Sequence, residues 1–278
     1  MRVSVNTKHG RIELAYELDP TKHTHRVIRG QTNALGFYEP ATAWLLLRAL
    51  DHGDTFVDVG AHCGVFTVLA SRLVGVDGKV VAIEGDEENF RHLQRHVAIN
   101  DIGNADLICR VLAASEESRD FWTNTYNDGG HALWDTREDP RCRDAKIPPT
   151  AKQVHTISLD TLLRDRGIRS IRCLKVDTEG AEHEVLRGAS GMLGPGSLPL
   201  VLAEINEFGL TRLGTSQMDF RRFMREHGYA TFYAKDDGTR PRRLPDSYRV
   251  EPPDELYAFN LLFAHEDEVE RLWPSARA

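Results

Sequence analysis

The chain has 278 residues, 41% of them apolar and 28% charged, with a formal net charge of −7. That is an ordinary composition for a soluble α/β protein, long enough for one large domain with an N-terminal extension or for two small domains. No long block of one sign occurs, which excludes the electrostatic footprint of a general nucleic-acid binder, and Arg240, Arg242 and Arg243 read as a solvated loop. No apolar run approaches the ~18 residues of a membrane-spanning helix. The opening MRVSVNTKHGR is not a signal peptide, and none of Cys63, Cys109, Cys142 and Cys173 forms a C-x-x-C pair. Zinc ribbons and thioredoxin-type redox motifs are therefore disfavoured, and a reduced, cytoplasmic enzyme is the expectation.

Residues 1 to about 30 alternate apolar and polar side chains (Val3, Val5, Ile12, Leu14, Tyr16) and predict short strands, a β-rich extension over 1–38 ahead of a main domain over 39–278. Glu39 and Pro40 open a helix, ATAWLLLRAL, that Gly53 closes. From residue 54 strands and helices alternate. DTFVDVG is a strand and GVFTVLASRLVG a helix; KVVAIEG is a strand and 87–99 a helix; ADLICRVLA and CLKVDTEG are strands; AEHEVLRGA is a helix and LPLVLAEIN a strand. Such alternation predicts a mostly parallel sheet with helices on both faces. The polar stretch 114–156, with Trp122, Trp134 and several Gly and Pro, reads as a hairpin-and-loop insertion, either a lid over the active site or a plain surface insertion. YATFYA and ELYAFNLLFA predict a closing antiparallel hairpin, which is compatible with a homodimer.

Three segments carry chemistry. In Val57-Asp58-Val59-Gly60-Ala61-His62-Cys63-Gly64 a buried strand runs into a glycine turn and then a helix, whose free amides suit a carboxylate. Glu84 ends the next strand, twenty positions after Gly64, where an acid can accept both ribose hydroxyls of a nucleoside. The loop is G-x-x-x-G and lacks the G-x-G-x-x-G that brings a helix to a pyrophosphate. S-adenosylmethionine, with ribose, adenine and an amino-acid end but no phosphate, matches it better than a dinucleotide. Asp177 closes the fourth strand and Glu204 the fifth, two carboxylates at one sheet edge that suit a general base or a divalent cation such as Mg²⁺.

These blocks resemble the FkbM family of class I methyltransferases. The resemblance runs from about residue 35 to 263 and rests on GFYE, FVDVGAHCGVFT, VVAIEGDEENFRHLQRHVAIN, ISLDTLL and LKVDTEGAEHEVLRGA. It implies a Rossmann-like methyltransferase fold with a seven-stranded sheet. It also implies that Asp58, Gly60 and Gly64 surround the cofactor's amino-acid end and that Glu84 holds the ribose. Leu112 and Ala113 would flank the adenine, Tyr38 and Glu39 would line the cleft, and Asp177 would sit near the transferring methyl. His62 stands where such loops often carry Asn. The family mostly implies O-methylation of hydroxyls on sugars and secondary metabolites, placing the chain in natural-product biosynthesis; N- or carboxyl-methylation is the alternative.

Asp177 with Glu204, or His131 from the insertion, would supply the base. The acceptor would be a small molecule or a peptide. Two readings of other classes compete, a nicotinamide-dependent oxidoreductase and a non-catalytic nucleoside-binding module.

Overall fold

A computed structural model describes residues 1–142, 145–194, 196–254 and 258–274. Strands β1 (Arg2–Thr7) and β2 (Gly10–Ala15) form the expected N-terminal hairpin. The segment after it departs from the expectation of strand. It forms helix α1 (His23–Leu35), which buries Thr24, His25 and Ile28 on one face and ends at Gly36, whose φ is 87°. That spacing is helical, and it is diluted in the sequence by polar neighbours.

Helix α2 (Pro40–Ala49) leads into the core unit β3 (Thr55–Val59), α3 (Val65–Val74), β4 (Lys79–Glu84), α4 (Glu87–Ile99) and β5 (Ala105–Cys109). The insertion contributes the hairpin β6 (Ser118–Trp122) and β7 (Ala151–His155). Then follow α5 (Leu159–Asp165), β8 (Cys173–Val176), α6 (Glu182–Arg187), β9 (Leu200–Asn206), α7 (Glu207–Arg212) and α8 (Gln217–Glu226). Strands β10 (Ala230–Tyr233), β11 (Arg242–Arg243) and β12 (Ala258–Ala264) and helix α9 (Glu266–Leu272) close the chain. The first three residues of the predicted ELYAFNLLFA strand lie outside the described residues.

The main sheet runs β11-β10-β12-β9-β8-β3-β4-β5. Strands β9, β8, β3, β4 and β5 are parallel, while β12 pairs antiparallel with both β9 and β10. Seven strands were expected; the eighth is the two-residue edge strand β11, too short to leave a periodic signature. Alternate residues of the parallel strands face opposite cores. Phe56, Val80 and Leu202 meet α2, α3 and α9, whereas Val57, Val81 and Val201 meet α5, α6 and α8. Burial on both faces explains the nearly continuous apolar runs of β3, β4 and β8. The strand order reverses between β3 and β8, so the crevice at their carboxyl ends is where a ligand fits.

Candidate active site

At that crevice lies a cleft of about 1120 Å³, including its open mouth. Two backbone features shape it. The amides of Gly60 and Ala61 both donate to the Ile83 carbonyl, at 2.9 and 3.0 Å, which folds the chain sharply at the end of β3. Gly60 has φ 73°, and a Cβ there would fall 1.7 Å from the Asp177 carbonyl oxygen. The turn therefore packs directly on the loop after β8.

Of the residues expected to hold the cofactor, Tyr38, Glu39, Gly60, His62, Glu84, Leu112 and Asp177 line the cleft, and so does the proposed catalytic Glu204. Asp58, Gly64 and Ala113 are not among the lining residues. Asp58 is fully buried, accepts the Thr67 hydroxyl at 2.7 Å and lies 3.6 Å from the Lys175 ammonium. Gly64 caps α3 in the left-handed region and packs on Leu93. Ala113 is buried among Val111, Phe121 and Leu133, which do line the cleft.

Glu84 is buried at the end of β4, and each of its oxygens accepts one amide, from His62 at 2.7 Å and from Asp86 at 2.8 Å. A carboxylate has about four acceptor sites, so two remain for a diol. Ile83, Leu112 and Phe121 supply apolar wall beside it.

At the opposite side of the cleft the carboxyls gather. The register Val176↔Ala203 makes Asp177 and Glu204 the next neighbours across β8 and β9. Glu39 and Glu179 join them in the lining. Glu179 accepts the Asn206 amide at 2.7 Å and Glu39 accepts Thr42 and Asn260 at 3.1 and 3.2 Å. Burial, reinforced by the Asp177 charge, pushes Glu179 up to about 8 and Glu204 well above the usual carboxylate range. Glu182, fully buried behind them, is raised by burial to about 7 although the Thr178 and Gly180 amides donate to it.

Lys175 is the residue that sequence reasoning missed. It is buried, with Nζ 2.9 Å from Asp177 and 3.6 Å from Asp58. Burial opposes its charge, but Asp177 and Asp58 outweigh that and hold it protonated. The available signal was a lysine inside a four-residue strand that is otherwise apolar, two positions before Asp177 and so on the same face. Its ammonium donates to Oδ2 of Asp177.

His131 lines the cleft but is not placed as the base. Its Nδ1 accepts the Asn124 amide at 2.8 Å, so the neutral ring carries its proton on Nε2, 3.9 Å from Asp86, and has no lone pair free to take another. His62 adopts φ 49° and its Nε2 reaches Asp128 of the insertion at 3.2 Å. Beside it, His25, His62 and Cys63 bring possible ligand atoms within 4.8 Å, the metal-like spacing found among the described residues. Metal ligation conflicts with His25, whose Nδ1 accepts the Asp19 amide at 2.9 Å, leaving the ring proton on Nε2. Burial opposes charge on both His62 and Cys63, but His62 holds the Cys63 thiol well below its ordinary range, and Cys63 and Asp128 raise His62 to about 10.

The raised carboxyls make stability depend on pH. Glu179 and Glu182 bind protons more tightly in the folded chain than at their ordinary value of 4.5. That contribution is complete below pH 4.5 and is lost as the pH rises through their folded values, about 8 and about 7. The cofactor-free protein is expected to melt at a lower temperature at pH 8 than at pH 6 in scanning calorimetry; an equal or higher Tm at pH 8 would contradict this assignment.

No curated protein sequence matches the chain. Solved structures with a similar arrangement include a SAM-dependent methyltransferase from Aquifex aeolicus, 14% identical with a TM-score of 0.43, covering 89% of this chain and 98% of that one. Another is methyltransferase FkbM from Methylobacillus flagellatus KT, 15% identical with a TM-score of 0.44, covering 77% of this chain and 44% of that one. A third is a SAM-dependent O-methyltransferase from Thermotoga maritima, 10% identical with a TM-score of 0.44, covering 94% and 77%. The model of the methyltransferase FkbM domain matches residues 58–231, more than half of the chain. With its Rossmann-like sheet and the cleft at the strand-order reversal, the chain belongs to the FkbM methyltransferase domain family.

Proposed function

We propose that the protein is an S-adenosylmethionine-dependent methyltransferase acting on a hydroxyl of a sugar or secondary-metabolite acceptor. The observation that carries this reading is one cleft with a ribose-type carboxylate, Glu84, on one side and a set of carboxyls, Asp177, Glu179 and Glu204, on the other. The residues fit the cofactor: Glu84 keeps acceptor capacity, Leu112 and Phe121 offer apolar wall, and Glu204 Oε2 is buried without a partner where charge is needed. When bound, S-adenosylmethionine supplies a methyl group on a sulfonium. Glu39, Asp177 and Tyr38 would orient that end, and a neighbouring carboxylate would take the acceptor's proton. The acceptor in this reading is a small polar molecule or a peptide met in the cytoplasm, with neither nucleic acid nor membrane as a partner.

Titration calorimetry with S-adenosylmethionine and S-adenosylhomocysteine, beside Glu84→Ala, tests the cofactor. Both ligands are expected to bind, and the variant to weaken each by about tenfold to a hundredfold through lost hydrogen bonds. Folded protein that binds neither would end the reading. Because Lys175 already neutralises Asp177, turnover is expected to be unchanged by a strong chelator; loss of activity restored by Mg²⁺ would reverse the assignment of Lys175. Labelled methyl recovered on nitrogen or a carboxyl group would replace O-methylation by one of those reactions.

A further inference from the structure

Among the described residues, the carboxyl side of the cleft holds more carboxyls than cations to balance them. Glu39, Asp177, Glu179 and Glu204 line it, and Glu182 lies behind. Lys175 is committed to Asp177 and Asp58, and Arg141 is doubly bonded to Asp139, at 3.0 and 2.7 Å. His62 is engaged by Asp128 of the insertion, 3.2 Å from its Nε2. Asn260 stands opposite Glu204 in the β9–β12 register, yet it gives its amide to Glu39. Glu204 Oε2 is thus left buried with no hydrogen-bond partner. With Oε2 shut off from solvent and from donors, burial and the neighbouring Asp177 and Glu179 disfavour the ionised form of Glu204.

We infer that Glu204, with Glu179 beside it, is the counter-ion of the cofactor's sulfonium, releasing its proton when that cation binds and regaining one when methyl transfer removes the charge. This rests on the methyltransferase reading and goes beyond it by tying the base to the cofactor's charge. In transfer to a hydroxyl, the C–O bond forms as the C–S bond breaks with its electron pair left on sulfur, and the O–H proton must go to a base. Glu204 loses its counter-charge in that same step, so its proton affinity rises as the proton becomes available. One cation, one carboxylate and one alcohol become a neutral thioether, a neutral carboxyl and an ether.

Three ligands with the same nucleoside and amino-acid ends separate the effect of the charge. S-adenosylmethionine is cationic at sulfur, sinefungin carries an ammonium at the corresponding place, and S-adenosylhomocysteine is neutral there. Calorimetry on the full chain at pH 7, in buffers of different ionisation enthalpy, counts protons released. The two cationic ligands are expected to release about one proton more than S-adenosylhomocysteine, and to bind about tenfold tighter or more. Their advantage should grow as the pH rises from 6 to 8, because less work is then needed to ionise the carboxyl. In Glu204→Gln, of the same size, the extra proton is expected to vanish and the advantage to fall to about twofold or less. Equal proton release by all three ligands in the wild-type protein, or an extra proton that persists in Glu204→Gln, overturns the inference. Binding by none of the three sinks the methyltransferase reading instead.

Discussion

Gly60→Ala is expected to lose cofactor binding altogether and to destabilise the fold by about 3–5 kcal/mol. Two costs combine. A non-glycine residue at φ 73° is strained by about 1–2 kcal/mol. The larger cost is steric, because the new methyl would lie 1.7 Å from the Asp177 carbonyl oxygen. A flexible side chain could swing aside, but this is backbone, and the Asp177 amide is itself bonded to the Val59 carbonyl at 3.0 Å. Relief requires β3 and β8 to part at their carboxyl ends, where the cleft opens. Gly64→Ala provides the contrast. It also sits at positive φ, yet its methyl would meet the terminal Cδ1 of Leu93 at 2.4 Å, an atom that can rotate away. Urea unfolding and S-adenosylmethionine titration of both variants should therefore show the larger loss at Gly60. A Gly60→Ala protein that unfolds at the wild-type midpoint and binds the cofactor would refute the close approach of the two loops.

Lys175→Met should cost about 3–5 kcal/mol, since removing one member of a buried ion pair leaves its partner charged and unsolvated. Here two partners are left, Asp177 at 2.9 Å and Asp58 at 3.6 Å. Asp58 is the more serious, being fully buried with Oδ1 lacking any hydrogen-bond partner. Burial already raises its carboxyl above the ordinary 3.8, with Lys175 the first force pulling it down. Without the ammonium its folded value rises further, so stability is present at low pH and is lost as the pH rises. The variant should accordingly be closest to wild type near pH 5 and worst near pH 8. Adding Asp58→Asn should restore much of the loss, because the amide oxygen can still accept the Thr67 hydroxyl and the carboxylate left without its partner is Asp177, which faces the cleft. Denaturant melts of the two single variants and the double variant form a cycle. A double variant no more stable than Lys175→Met would mean that the lysine's methylene packing, and not its charge, is what β8 requires.

Much of this molecule is readable from residue order. The alternation of apolar strands with glycine turns and helices specifies a parallel sheet, because strands buried on both faces leave continuous runs such as TFVDV and KVVAIE. Strand-end acids declare themselves by position, so Glu84, Asp177 and Glu204 could be named before any coordinates, and all three line one cleft. Helix α1 was hidden because only three of its residues are buried and two of those, Thr24 and His25, are polar. The two-residue β11 is too short to carry a pattern.

Tertiary structure alone decided which of these groups act on one another. Asp58 and Asp177 lie on neighbouring strands and look alike in sequence, yet one is sealed behind the wall and the other faces the cleft. The register Asp58↔Lys175 joins residues more than a hundred positions apart into an ion pair. His131 loses its role as a base to a single backbone amide, from Asn124. Protonation depends on distance and burial in three dimensions, and neither follows from local sequence. Residue types and spacing determined the fold and the kind of cofactor. The charge on each carboxyl, and with it the chemistry each can perform, was set only when the sheet brought them together around one lysine.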